Sequence, residues 1–313
     1  MKEKRALVTG GAGFIGSHLA ERLTELRNNV SVIDNLSITR NNVPVLKSKD
    51  IEVIEADITS YKKIFGYFKD VDIVFHLAAM NRAVKSINEP LLANEVNITG
   101  TLNVLEASRK NNVSKVVNIS SSSVYGSSKA MPRMEDSILS PTHPYGVGKL
   151  ASEHYANVYN ELYGIETVNL RYFSIYGPRQ LGTIEHAAVI PKFIYRIMNS
   201  MPIEVYGSGE QKRNFTFVGD AVECTVKASE ANNAVGETIN VSTIEEVTIN
   251  RLISLLESAT GKKAIVKHME EIKGEIKENP ADISKAKSIL GHDKWVSLKE
   301  GISNTVEWNK NEL

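Results

Sequence analysis

The 313-residue sequence predicts an α/β protein built on a doubly wound parallel sheet, with a smaller C-terminal α/β lobe. Three observations predict this. Short Val/Ile-rich runs alternate with longer amphipathic ones through the first half; a glycine-rich turn joins the first run to the second; and the alternation breaks down after Tyr172.

Residues 5–9 (Arg-Ala-Leu-Val-Thr) read as a buried strand, and 14–26 carry apolar residues at helical spacing (Phe14, Leu19, Leu23, Leu26). Strand patterns recur at 30–34, 51–54 and 72–75. A helix is expected over 91–107, a strand over 115–119, a helix over 151–163 and a strand over 166–171. Val/Ile-rich strands that alternate with helices belong to a parallel sheet covered on both faces, and right-handed crossovers leave few topologies besides the doubly wound one. Beyond Tyr172, Gly177-Pro178 and Gly207-Ser208-Gly209 punctuate shorter runs. The expected division is a nucleotide-binding domain over 1–172, with a return of the chain to it over 214–242, and a lobe from 173–213 and 243–313. Thr248 is a candidate N-cap for the helix that runs through Leu256, and Gly261 a candidate stop.

Lys+Arg 37 and Asp+Glu 37 cancel, which argues against a partner bound through bulk phosphate charge, whether nucleic acid or an anionic membrane. Hydrophobic residues at 42% and charged residues at 24% fit a soluble globular protein. The single cysteine, Cys224, excludes an intrachain disulfide and a Cys-based zinc site, and the seven histidines lack metal-ligand spacing, so no metal is expected. Nowhere do about 18 apolar residues run together, and no secretory segment is recognisable; a reduced, cytoplasmic protein is expected.

Thr9-Gly10-Gly11-Ala12-Gly13-Phe14-Ile15-Gly16 lies between the first strand and the first helix. Gly10 permits the tight turn, Gly13 lets a pyrophosphate approach the backbone, and Gly16 lets helix and sheet pack closely, while the helix N-terminus offers amides and a positive dipole end. Asp34, at the tip of the next strand, is placed to accept from the ribose hydroxyls of an adenosine and would repel a 2′-phosphate, so NAD is preferred to NADP. Asp57 either bonds the adenine or caps its own loop. His76, before Leu77-Ala78-Ala79, reads as a satisfied core histidine, and the small residues after it leave room for a flat ring.

A tyrosine that acts as a base needs its pKa brought from about 10 toward 7, roughly 4 kcal/mol of preferential phenolate stabilisation, and a lysine one helical turn away contributes to it. Among 11 tyrosines, Tyr125/Lys129 and Tyr145/Lys149 have the i,i+4 spacing. Gly126-Ser127-Ser128 and Pro132 make the first a loop, whereas Tyr145 follows Pro144 and precedes an amphipathic run, so Tyr145/Lys149 is the better pair. Ser120 to Ser123 follow directly on a strand, at the sheet end where ligands bind, and a hydroxyl there can pass or orient a proton. No Gly-x-Ser-x-Gly elbow and no phosphate-binding Gly-Lys-Ser/Thr loop is present.

With these motifs, and with Asn97-Ile98-Thr99-Gly100-Thr101, Ser121-Ser122-Ser123-Val124-Tyr125-Gly126, Leu170-Arg171-Tyr172-Phe173, the stretch from Tyr206 to Arg213 and Ala281-Asp282, the chain resembles the extended short-chain dehydrogenase/reductases. It is similar in particular to the nucleotide-sugar epimerase/dehydratase family with a Rossmann-type fold. The resemblance implies Ser121, Tyr145 and Lys149 as the catalytic set. It implies a cofactor set of Gly10, Gly13, Phe14, Ile15, Gly16, Asp34, Asn35, Asp57, Ile58, Leu77, Ala78, Ala79, Asn97, Tyr145, Lys149 and Tyr172 around NAD. For a UDP-sugar it implies Lys85, Ser121, Ser122, Ser123, Tyr145, Ser174, Val189, Lys192, Tyr206, Arg213, Glu275 and Asn279. Similar dehydratases and decarboxylases carry acids at the positions of Ser122 and Ser123, and the hydroxyls here point to a UDP-hexose 4-epimerase. Two departures concern the diphosphate: Ser174 stands where the family has Asn, and Ile272, followed by Lys273, where it has a second Arg. The small Asn279, where a bulky tyrosine excludes acetylated sugars, implies that UDP-GlcNAc and UDP-GalNAc enter along with UDP-glucose and UDP-galactose. The helices over 91–107 and 151–163 match a pair that forms a four-helix homodimer interface. The competing readings are a dehydratase, a decarboxylase or a UDP-glucuronate 4-epimerase on the same scaffold, and a non-catalytic NAD-binding module.

Overall fold

A computed structural model describes residues 3–81, 83–184, 187–271 and 278–312. Arg5–Thr9 (β1), Asn29–Asp34 (β2), Glu52–Glu55 (β3), Ile73–His76 (β4), Lys115–Ser121 (β5), Glu166–Tyr172 (β6) and Thr238–Val241 form one seven-stranded sheet. Its order is Thr238–Val241, β6, β5, β4, β1, β2, β3, and every pairing is parallel. The central strands are apolar throughout because helices cover both faces: every residue of β4 and β5 is buried. Strand order turns back between β1 and β4, and the crevice beyond their carboxyl ends is where such sheets receive ligands. Thr238–Val241 pairs with β6 from Asn169 to Tyr172 and so adds the outer strand next to it.

Boundaries shift by a residue at β3 and β4, but two helices differ more. The helix expected over 91–107 is three pieces, Pro90–Asn94, a π turn Glu95–Thr99, and Gly100–Lys110. Asn97 explains the break. The wider turn faces its buried amide toward Met80, which donates its N–H at 2.8 Å to Oδ1 and accepts from Nδ2 at 3.1 Å. The helix expected from 151 begins instead at Pro144 and runs to Tyr163. Gly146 and Gly148 weaken helical propensity on paper, yet packing demands them: an added Cβ would lie 2.8 Å from the Ser123 carbonyl oxygen and 2.8 Å from Asn97 Cβ, respectively.

The lobe has its own core, in which Phe193, Ile194 and Ile197 of Val189–Met198 meet Ile203, Val205, Leu252, Leu256, Ile302 and Val306. Thr248 caps Ile249–Thr260 by accepting from Arg251 N–H, and Gly261 ends it at φ 72°. Ala281, Ile283, Ala286 and Leu290 join the core over the main sheet, while Leu298, Ile302 and Val306 join that of the lobe. Among the described residues no helix is long and apolar enough to cross a membrane.

Candidate active site

The first turn is set by glycine. Gly10 has φ 70°, and a Cβ there would lie 2.7 Å from Ala78 N; at Gly16 it would lie 2.2 Å from the Gly10 carbonyl oxygen. The turn therefore presses β1, the residues after β4 and the helix Phe14–Glu25 (α1) together, with Gly13 as N-cap and the α1 amides open toward the crevice. Asp34 ends β2 with one carboxylate oxygen accepting from Ala12 N–H at 3.1 Å and the other from Leu36 N–H at 2.8 Å. Burial pushes its carboxyl pKa up, against the pull of these amides. Asp57 accepts from Asn35 Nδ2 at 2.8 Å and from Thr59 N–H at 2.9 Å, which makes it a loop cap at the rim of the same crevice.

His76 is fully enclosed. Thr101 Oγ1 donates to the Asn97 carbonyl at 2.8 Å, so it accepts from His76 Nε2–H at 2.9 Å, and Nδ1 accepts from Thr9 Oγ1 at 2.7 Å. Burial, with Lys149 adding to it, holds its pKa down to about 3, so the ring is neutral and structural.

Tyr145 and Lys149 occupy the first turns of Pro144–Tyr163 and look onto the end of β5, where Ser121 stands. Lys149 is 4% exposed and donates from Nζ to the Ile119 carbonyl at 2.7 Å. Burial brings its pKa down to about 8, with Glu153 pulling the other way. Tyr145 N–H donates to Ser86 Oγ at 3.0 Å, which ties the helix start to Ala83–Asn88. Ser121 Oγ accepts from Ser123 N–H at 3.2 Å.

Behind this wall lies a group that sequence reasoning missed. Glu153 binds Arg171 through two bonds, Nη2 at 2.7 Å and Nε at 2.9 Å, with both side chains 4% exposed. Ser120 Oγ also donates to Glu153, and Arg171 Nη1 donates to Tyr125 Oη at 2.9 Å. The signal was available: Tyr145, Lys149 and Glu153 recur at i, i+4 and i+8 on one helix face.

These walls enclose a cleft of about 750 Å³, within the range of small-molecule sites. It is lined by Gly10, Gly13, Phe14, Ile15, Gly16, Asp34, Asn35, Asp57, Ile58, Leu77, Ala78, Ala79, Lys85, Ser121, Ser123, Tyr145, Lys149, Tyr172 and Ser174. Met80, Asn81, Arg179, Gln180, Leu181 and Ile184, which the sequence had not singled out, line it as well. Arg179 pairs with Glu21 at 2.8 Å.

Of the expected residues that the structure describes, the others do not line this cleft. Asn97 reaches it indirectly, through Met80. Ser122 opens the short turn after β5. Val189 and Lys192 lie on Val189–Met198, Lys192 Nζ 3.5 Å from Glu204, while Tyr206 ends the strand Pro202–Tyr206. Arg213 sits in Lys212–Asn214, paired antiparallel with Glu246–Thr248. Asn279 Oδ1 accepts from buried Arg133 Nε at 3.1 Å. Glu275, Ile272 and Lys273 lie outside the described residues.

A glycine turn under a helix N-terminus, an acid ending β2, and a buried Tyr/Lys helix facing a serine define a dinucleotide-dependent enzyme of the doubly wound class. The model of the NAD dependent epimerase/dehydratase family matches residues 6–242, and the chain belongs to that family. The UDP-N-acetylglucosamine 4-epimerase of Methanobrevibacter ruminantium M1, solved with UDP-N-acetylmuramic acid, shares 37% identity over 100% of both chains at TM-score 0.94. The UDP-glucose 4-epimerase of Thermotoga maritima, solved with UDP-glucose, shares 34% over 98% of this chain and 99% of its own at TM-score 0.92. The UDP-glucuronic acid 4-epimerase of Bacillus cereus, solved with UDP-glucuronic acid and NAD, shares 35% over 99% and 100% at TM-score 0.90. The tight turn that only glycine allows at Gly10 and Gly16, which keeps the α1 N-terminus against the crevice, together with the carboxylate of Asp34 at its edge, fits the NAD on which the family depends.

Proposed function

We propose that the chain catalyses NAD-dependent 4-epimerisation of a UDP-hexose, UDP-glucose/UDP-galactose and also UDP-GlcNAc/UDP-GalNAc, through a transient 4-keto sugar. The observation that carries this reading is that Ser121, Tyr145 and Lys149 line the same cleft as the glycine turn and Asp34. Bound NAD supplies a hydride acceptor that returns what it takes. Tyr145, as phenolate, removes the proton of the sugar 4-hydroxyl and gives it back after the pyranose has turned. Ser121 orients that proton, and the Lys149 ammonium, held in low dielectric beside the helix start, favours the phenolate. Ser122 and Ser123 offer hydroxyls where elimination or decarboxylation would call for a carboxylate. The nucleotide half of the sheet would bind NAD and the lobe the nucleotide-sugar, with Val189, Lys192, Tyr206, Arg213, Glu275 and Asn279 assigned to the UDP-sugar by resemblance.

Lys85 offers a cation to the cleft and favours a second reading, a sugar with a carboxylate at C6, as in UDP-glucuronate. Incubating the purified protein with UDP-glucose, UDP-GlcNAc and UDP-glucuronate, and resolving C4 epimers chromatographically, separates these readings. Conversion of each of the first two to its C4 epimer, without turnover of the third, is expected; turnover of UDP-glucuronate alone selects the second.

A homodimer is part of the proposal. The helices Pro90–Asn94 and Pro144–Tyr163 expose Leu91 at 85%, Leu162 at 70% and Val158 at 41%, an apolar surface that a second copy would cover. Sedimentation should give twice the chain mass, and Leu162→Glu should give the monomer.

A further inference from the structure

The helix that carries Tyr145 and Lys149 starts in an unusual way. Ser, Thr, Asp and Asn are the preferred N-caps, and here the cap is a histidine. His143 has extended backbone (φ −152°, ψ 159°), and its Nδ1 accepts from Gly146 N–H at 3.2 Å. The same imidazole lies parallel to the Tyr145 ring, at an interplanar angle of 10° and a centroid separation of 6.0 Å. One side chain thus fixes both the first turn of the helix and the face of the phenol.

We propose that His143 is a positioning residue for Tyr145, and that it holds the phenol in its working orientation only while its own ring is neutral. This rests on the reading of Tyr145 as the base. An Nδ1 that accepts a bond has no proton, so the capping tautomer carries its proton on Nε2. Protonation turns Nδ1 into a donor that faces the Gly146 N–H, removes the cap, and places a cation at the positive end of the helix dipole. Among the described residues no charged side chain acts on the ring to compensate that charge. The groove on the other side of the ring, about 440 Å³, is walled by Pro90, Asn94 and Ile98 from the preceding helix segments and by Pro141, Thr142 and Val147. None of these carries a charge, and Tyr145 is the titratable group in ring contact. Burial alone lowers the His143 pKa, which keeps the cap in place at neutral pH.

The experiment is the pH dependence of kcat at saturating UDP-sugar for the NAD-loaded wild type, His143→Asn, His143→Ala and Tyr145→Phe. The wild type should lose kcat on the acid side in two steps, one as Tyr145 is protonated and a second, below the ordinary histidine value, as His143 is. His143→Asn retains an acceptor that does not titrate there, so only the Tyr145 step should remain and the limiting slope should fall from two to one. His143→Ala should lower kcat about five- to tenfold across the range, the rate equivalent of a lost cap, with KM and NAD affinity held. An unchanged acid limb in His143→Asn overturns the proposal, as does wild-type kcat in His143→Ala. Should His143→Ala fail to fold, the Asn variant decides alone. Near-normal turnover by Tyr145→Phe would overturn the catalytic reading itself, whatever the His143 variants do.

Discussion

Replacing Lys149 by Met should make the cofactor-free protein more stable while it removes activity. Lys149 keeps its charge at neutral pH inside the sheet–helix interface, with the Ile119 carbonyl as its hydrogen-bond partner at 2.7 Å. Burial lowers its pKa from 10.5 to about 8, and at roughly 1.4 kcal/mol per unit the charged form costs the fold about 3 kcal/mol. Methionine fills similar space without a charge but loses the bond to Ile119, worth about 1–2 kcal/mol. The net gain is about 1–2 kcal/mol, or about 3 °C in the thermal midpoint. The sign reverses with pH in a defined window. The folded pKa is depressed, so the wild type bears the full cost below pH 8 and sheds it as pH rises from 8 through 10.5; above that, with its bond to Ile119 intact, it should be the more stable by about 1–2 kcal/mol. Without the ammonium, kcat should fall by about 10²–10⁴. Thermal denaturation at pH 7 and pH 10, with kcat on the same preparations, tests both halves. A variant less stable than wild type at pH 7, or one within tenfold of its kcat, refutes the reasoning.

Gly16→Ala places a methyl 2.2 Å from the Gly10 carbonyl oxygen and should cut NAD affinity about tenfold or more, measured by titration calorimetry. Ser174 sits at φ 42°, a conformation that Asn tolerates better, so Ser174→Asn should raise stability by about 0.5–1 kcal/mol and lower the KM for the UDP-sugar. His76, with its pKa held near 3, is neutral in the fold and charged in the unfolded chain below 6.5. Its contribution is therefore intact above pH 6.5 and shrinks as pH falls, by about 2 kcal/mol at pH 5; the stability–pH slope between 6.5 and 5 should be shallower in His76→Gln by that amount.

What could be read from sequence is what local chemistry dictates. The glycine turn, Asp34 and the Tyr145/Lys149 pair needed a strand, a turn and a helix in succession, and the cleft gathers them. The onset of the Pro144–Tyr163 helix was hidden because Gly146 and Gly148 are chosen for contacts with Ser123 and Asn97, residues remote in sequence. The π turn at Glu95–Thr99 was hidden for a related reason, since its cause is the bond between Asn97 and Met80. The Glu153–Arg171 pair joins a helix to the neighbouring strand β6, so that half of its signal lay on each. In the lobe the elements are short, and their patterns say little about which faces meet the cleft. The reading of Val189, Lys192, Tyr206 and Arg213 therefore came from resemblance alone, and none of them lines the cleft that holds Tyr145 and Ser121.

The central claim is that the carbon at C4 is oxidised and reduced again inside one cleft. Epimerising a UDP-hexose deuterated at C4 and analysing the product by mass spectrometry and NMR tests it most directly. The account predicts that the epimer retains its deuterium at C4, even in ordinary water and over many turnovers. Exchange of that label with solvent would contradict it.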